Sequence, residues 1–220
     1  MLFINRNIKY WSKDGEDKEI IKQFLLSQYV EKNIHAITKS KTIFYPKLIQ
    51  SEDYLNIFTG FLQKPTPGHK VNHHRIKRQL NHIKEVWCRN NKKAYKYILD
   101  WFADMIQHPE RKNGTYLVLI GEEGSGKNII AEFIAYLLIG DEYSSVINDM
   151  SKFTGRFNSF SNGKVFTVFD EAMTGKDILR HANKFKSFVS QRKQVNEMKH
   201  KDAEIIDDYN HFMLLSNNRK

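Results

Sequence analysis

Gly121, Gly124, Gly126 and Lys127, in the stretch LIGEEGSGKN at 119–128, stand at the spacing G-x-x-x-x-G-K. Glycines at those positions let successive backbone N–H groups turn toward one centre. A helix starting behind them adds a favourable dipole, and the lysine carries a positive charge to terminal phosphates. The stretch therefore reads as a phosphate cradle built from Gly121, Glu122, Glu123, Gly124, Ser125, Gly126, Lys127 and Asn128. The plainer alternative is a glycine-rich turn between a strand and a helix, with Lys127 in solvent. Asn128 stands where a Ser or Thr hydroxyl is the usual Mg²⁺ ligand. Its amide oxygen can coordinate the ion or accept a hydrogen bond from a water of its shell.

Two further sets of polar residues end apolar runs. Asp170 and Glu171 close KVFTVFDEA, and Ser216, Asn217 and Asn218 close HFMLLSNN. In a doubly wound sheet, ligands bind beyond the carboxyl ends of the strands, so these groups fall near residues 121–127. Asp170 suits a metal role, holding Mg²⁺ directly or through water, and Glu171 suits orienting or activating the attacking water. Asn217 offers an amide to the γ-phosphate or the water. An acidic pair is often only a turn, and Asn is a common strand cap.

The elements that must position these groups can be read from periodicity. TYLVLIG, YSSVI, KVFTVFDEA and HFMLLSNN are short apolar runs of buried-strand type, with helical patterns at 126–139 and about 177–190 between them. That alternation predicts an α/β fold with a largely parallel sheet. Upstream, Ile76, Leu80, Ile83, Val86 and Trp87, then Ile98, Trp101, Phe102 and Met105, recur at three- and four-residue spacing, predicting two consecutive helices. A further amphipathic helix is expected over 16–32, and FLQKPTPGHK breaks regular structure around 64–70. The expected division is a lead-in at 1–68, a helical part at 69–114 and a nucleotide-binding core at 115–220.

Composition narrows the partners. Across 220 residues there are 35 Lys and Arg against 25 Asp and Glu, a formal charge of +10, which favours a polyanion such as nucleic acid. Cys88 is the only cysteine, so an intrachain disulfide framework is excluded and a reducing, cytoplasmic setting is expected. No apolar run approaches the ~20 residues needed to cross a bilayer, so no membrane partner is expected. His73, His74, His82 and Cys88 lie close together, but their spacing does not fit paired metal ligands. A basic helix face is the simpler reading, and Trp87 and Trp101 read as core.

The order of apolar strand, G-x-x-x-x-G-K, strand ending in Asp-Glu and strand ending in Asn resembles the superfamily-three helicases, an AAA+ variant of the P-loop NTPases. The resemblance is to the helicase part of phage, plasmid and large-virus primase-helicases, the poxvirus-like group included. It covers roughly residues 52–218, through YLNIFTGF, YILDWFADMIQHP, SKFTGRFNSF, VFDEA, FKSFVSQRKQVNEMKHKDA and FMLLSNN. It implies an ATP-dependent replicative DNA helicase acting on single-stranded DNA as a homo-oligomeric, hexameric ring. Lys127 would hold phosphates, Asp170 Mg²⁺, Glu171 would be the catalytic base and Asn217 the sensor residue. It also implies a β-hairpin between the acidic pair and the sensor strand, whose basic residues enter a central channel. Lys199 and Lys201 occupy that place, and two residues apart on a strand they would share a face. Arg156 matches a family position without a chemical role that the sequence supplies. An arginine finger and a last core strand follow the sensor strand in such helicases. With this sequence ending at Lys220, the expectation is a truncated core, a piece of a longer chain carrying a primase domain. The competing reading is a non-catalytic nucleotide- or DNA-binding assembly module. A small-molecule P-loop kinase is disfavoured, since no Arg-rich lid is evident.

Overall fold

In a computed structural model, residues 41–49, 54–64, 72–149, 162–171, 180–196 and 204–217 are described. The expected helix over 16–32, the break at 64–70 for the most part, Arg156, Asn218, Lys199 and Lys201 lie outside them. The chain divides into two compact units, the first formed by Met1–Ile43 with Ile49–Ile57 and the second by Phe44–Leu48 with Phe58–Lys220. The described part of the first is a parallel pair, β1 (Lys41–Ile43) and β2 (Tyr54–Asn56), in register Lys41 to Tyr54. The second unit carries the site and is described next.

Its centre is a four-stranded parallel sheet of order β3-β8-β5-β4, with β3 at Leu117–Ile120, β4 at Ser144–Ile147, β5 at Phe166–Asp170 and β8 at His211–Ser216. β5 and β8 are the inner strands, and this explains their unbroken apolar sequence: Phe166, Thr167, Val168, Phe212 and Met213 have no exposed surface. Strand residues alternate between two cores. Phe166, Val168, Met213 and Leu215 join one cluster with Trp101, Phe102 and Met105, while Phe169, Phe212 and Leu214 join another with Phe185, Phe188 and Val189.

The first core is roofed by three helices. α1 (His73–His82) is capped by the Asn72 side chain, which accepts from the N–H groups of His74 and Arg75, and it continues as a π-helical turn over Ile83–Trp87. α2 (Lys92–Gln107) is capped in the same way by Asn91. It presents Ile98, Trp101, Phe102 and Met105 inward, as their spacing predicts. α3 (Lys127–Glu132) also passes into a π-helical stretch, Phe133–Ile139. Not every apolar position of α1 is core: Ile83 is buried, but Ile76 and Val86 are exposed. The second core is closed by α4 (Ala182–Ser190), inside the helical pattern expected at 177–190.

An antiparallel hairpin, β6 (Lys193–Asn196) with β7 (Glu204–Asp207), follows α4, as the family resemblance implies. A buried ion pair ties its base to the core. Lys112, in the loop before β3, donates to the Asp208 carboxylate and to the Phe188 carbonyl, and Gln194 on β6 donates to the same carboxylate. Lys112 and Asp208 side chains are 6% and 2% exposed, so neither charge is shared with water. Burial lowers the affinity of the Lys112 amine for its proton and raises that of Asp208, and each charge partly restores the other.

Removing one partner strands the other charge in an apolar site. Lys112→Met should therefore cost about 3–5 kcal/mol, and Lys112→Met with Asp208→Leu should recover most of it. Chemical denaturation checks both.

His211, opening β8, gives a second stability test. It is 2% exposed, faces the Trp101 ring edge-on at 5.8 Å and shares its Nδ1 with the Val165 carbonyl at 3.1 Å. Burial lowers its pKa from 6.5 to about 4, with the nearby Lys112 charge adding to the effect. The unfolded chain thus binds a proton that the fold refuses. Stability is full above pH ~6.5 and falls as the pH drops toward ~4, by about 3 kcal/mol in all. Denaturation midpoints across that window should lose this slope in His211→Phe.

Candidate functional site

Parallel pairing brings the three polar strand ends level. Ile120 lies opposite Ser216 and Asp170 opposite Leu215, so the chain leaves β3, β5 and β8 at one edge. The departing backbone stays tied there, with the Gly121 N–H on the Ser216 carbonyl at 3.1 Å and the Glu171 N–H on the Leu215 carbonyl at 3.1 Å.

The loop from Gly121 to Gly126 then folds back to start α3. Gly124 and Gly126 have φ of +72° and +70°, where a side chain strains the backbone. At Gly126 a Cβ would also lie 2.9 Å from His82 Cε1. The Ser125 hydroxyl donates to the Glu122 carbonyl at 2.7 Å and closes the loop. His82 shares its Nε2 with the Gly126 carbonyl at 2.9 Å, so the end of α1 braces the loop from outside. The sequence reading missed that role and placed His82 on a basic helix face. Its only signal was position, one turn before the end of a helix later found to pack on the loop.

Lys127 is buried, 8% exposed, and its ammonium is turned into the loop. It donates to the Glu122 carbonyl at 2.7 Å and to Asn217 Oδ1 at 2.6 Å. Asn217 in turn donates through Nδ2 to Glu171 Oε1 at 2.5 Å. Lys127, Asn217 and Glu171, 44 or more residues apart in sequence, thus form one hydrogen-bonded chain across three strand ends. The amide orientation follows from charge: its oxygen meets the cation and its NH₂ the carboxylate.

Asp170, next to Glu171, is held above the ordinary carboxylate range by partial burial and by Glu171 and Glu132, with Lys127 opposing. Crowded carboxylates beside a single lysine suit a divalent cation. Among the described residues, no cluster of three or more His, Cys, Asp or Glu is arranged to hold a metal by itself. Magnesium bound chiefly through substrate phosphates and water needs only one or two protein oxygens, which Asp170 and the exposed Asn128 can supply. Glu123 and Glu122 are exposed at the loop tip. A cavity of about 330 Å³ opens beside the loop, lined by Gly121, Glu122, Ser125 and Lys127 on one side and by Val86, Trp87 and Arg89 on another. Trp87 is therefore a cavity wall and only partly core, while Trp101 is core at 4% exposure, its indole N–H donating to Thr115 at 3.0 Å.

Comparison with known proteins places this arrangement. Residues 119–220 match a family of unknown function (DUF5906). No curated protein matches the chain. Solved structures of the NrS-1 C-terminal region are similar in fold. The apo structure of its residues 305–718 has a TM-score of 0.64 at 20% identity, and an A-form apo structure of the same region has 0.62 at 20% identity. Each comparison covers 80% of this chain and 42% of the other, so this chain spans less than half of the region it resembles.

Glu171 has φ of +52°, one of three non-glycine residues in the left-handed region among those described. Carrying that backbone on a carboxylate rather than a glycine costs about 1 kcal/mol. Glu171→Gly should therefore raise stability by about that amount, and Glu171→Gln, which keeps the strain, should not. Denaturant midpoints distinguish the two.

Proposed function

We propose that the chain is the ATP-binding and ATP-hydrolysing part of a replicative DNA helicase that acts on single-stranded DNA as an oligomeric ring. The observation that most supports this is the Lys127–Asn217–Glu171 chain. It brings together a phosphate-seeking cation, a polar sensor and a candidate base from three strand ends, in the order that the sequence resemblance implies. The fold likeness to the NrS-1 C-terminal region is compatible with this reading, and the family match carries no activity of its own.

In this reading the Gly121–Gly126 backbone and Lys127 bind the phosphates. Glu171 accepts the proton of the attacking water, and Asn217 holds Glu171 in place and senses the terminal phosphate. Asp170, with Asn128, holds Mg²⁺, which supplies charge neutralisation between the phosphates. The β6–β7 hairpin carries Lys199 and Lys201 at residues between its two strands, where they would meet the DNA backbone. A neighbouring subunit's arginine would complete the charge around the transferred group, since such a finger is worth about 10³- to 10⁵-fold in related chemistry.

ATP hydrolysis should rise on adding single-stranded DNA. In Lys127→Ala it should fall by about 10²- to 10³-fold, the scale of losing one charge-stabilising group. Equal rates in the two proteins would overturn the motor reading. ATP and DNA binding without hydrolysis would select the non-catalytic binding module instead. Steady-state phosphate release with and without oligonucleotide is the measurement.

A further inference from the structure

The helix that braces the phosphate loop ends in a costly way. Its last turn is closed by the Cys88 N–H on the Ile83 carbonyl at 3.0 Å and the Asn90 N–H on the Lys84 carbonyl at 2.8 Å. Chain reversal is made by Arg89 and Asn90, at φ of +47° and +60°. Glycine is the usual residue for a left-handed helix stop, and asparagine tolerates the region. Arginine does not, so strain is concentrated where a long cationic side chain has been kept in place of a glycine.

What the strain secures is the position of that side chain. Arg89 lines the cavity of about 330 Å³ beside the loop, together with Val86, Trp87, Leu119, Ile120 and Lys127. Four of those walls are aliphatic or aromatic. Lys127 is committed to the loop and to Asn217, which leaves Arg89 as the second cation of the cavity. In the same wall, the Trp87 indole N–H is buried with no hydrogen-bond partner among the described residues, a donor that the fold itself does not use. The volume lies at the small end of the ~300–1,000 Å³ range of ligand pockets, enough for one base with its sugar.

We propose that this cavity takes the nucleobase and ribose of the nucleoside triphosphate whose phosphates the loop holds, with the Arg89 guanidinium stacked on the base. The assignment rests on the nucleotide reading of the preceding subsection. A planar, delocalised cation stacks on an aromatic ring as a lysine cannot, and an apolar slot with a cationic cover suits a base better than a phosphate.

The test compares dissociation constants for ATP and for inorganic tripolyphosphate in the wild type, Arg89→Gly, Arg89→Lys and Asn90→Gly, with thermal unfolding of each. Arg89→Gly and Arg89→Lys should each weaken ATP about tenfold and leave tripolyphosphate unchanged. Asn90→Gly should change neither. Arg89→Gly should unfold at the same or a higher temperature, because glycine relaxes the turn, and that shows the fold is retained. Equal weakening of ATP and tripolyphosphate would make Arg89 a phosphate contact and overturn the proposal. So would unchanged ATP binding in Arg89→Gly, an equal loss in Asn90→Gly, or wild type holding tripolyphosphate as tightly as ATP. If the wild type binds ATP no better than Lys127→Ala does, the nucleotide reading itself falls. If Lys127→Ala loses ATP while Arg89→Gly does not, only the cavity assignment falls.

Discussion

The central constraint is the pairing of β8, in parallel and in register, with β3 on one side and β5 on the other. Because all three strands run the same way, their carboxyl ends lie at one edge. The residues just beyond them cannot avoid each other. Lys127, Glu171 and Asn217 meet because the ladders put Ile120 opposite Ser216 and Asp170 opposite Leu215, within reach of a side chain. A one-residue slip of β8 would turn Met213 and Leu215 from one core to the other and carry Asn217 away from both partners. The two hydrophobic clusters that fill the faces of this sheet therefore fix the geometry of the polar edge as well as the fold.

Strain is placed along the same edge. Among the described residues, the non-glycine residues with left-handed backbone are Arg89, Asn90 and Glu171. Glu171 ends β5, and Arg89 borders the cavity beside the phosphate loop. Both helices that approach the loop also carry a π-helical stretch, Ile83–Trp87 after α1 and Phe133–Ile139 after α3. Such stretches are widened turns of poorer hydrogen-bond geometry that often accompany functional sites. A sequence optimised only for stability would have used glycine at these turns and regular helix beside them. Stability is instead drawn from the sheet centre and from the Lys112–Asp208 pair, away from the loop.

Much of this was legible in the sequence, for identifiable reasons. The strands after residue 115 could be read because inner parallel strands are apolar throughout, and the loop could be read because glycine spacing reflects backbone angles. The α2 face followed from its 3.6-residue period. What escaped reading depended on distance in three dimensions. Nothing local in His82 signals that it would meet Gly126, 44 residues on. Lys112, Gln194 and Asp208 look like surface residues until three separate segments bury them together. Arg89 could not be recognised at all, because a left-handed arginine has no sequence signature. Ile76 and Val86 satisfied the helical period and are nonetheless exposed, since periodicity marks a face without saying how wide the partner is.

The charge balance at the strand ends has a consequence for any nucleotide bound there. Asp170, Glu171 and Glu132 already act on one another strongly enough to hold Asp170 above its ordinary range, and Lys127 offsets them only in part. Glu122 and Glu123 add two more carboxylates at the loop tip, against the one lysine. A triphosphate brings several further negative charges to within a few ångströms of these groups. In a partly buried setting, where effective dielectric constants are about 20, each unscreened pair at 4 Å opposes binding by about 4 kcal/mol. Backbone N–H groups and one ammonium cannot offset that sum. A divalent cation arriving with the phosphates can, by converting Asp170 from a repelling neighbour into a ligand. The acidic character of the site is therefore compatible with phosphate binding only as part of a metal–nucleotide complex, which makes Asp170 the residue on which affinity for the metal-free nucleotide and for the metal complex should diverge most.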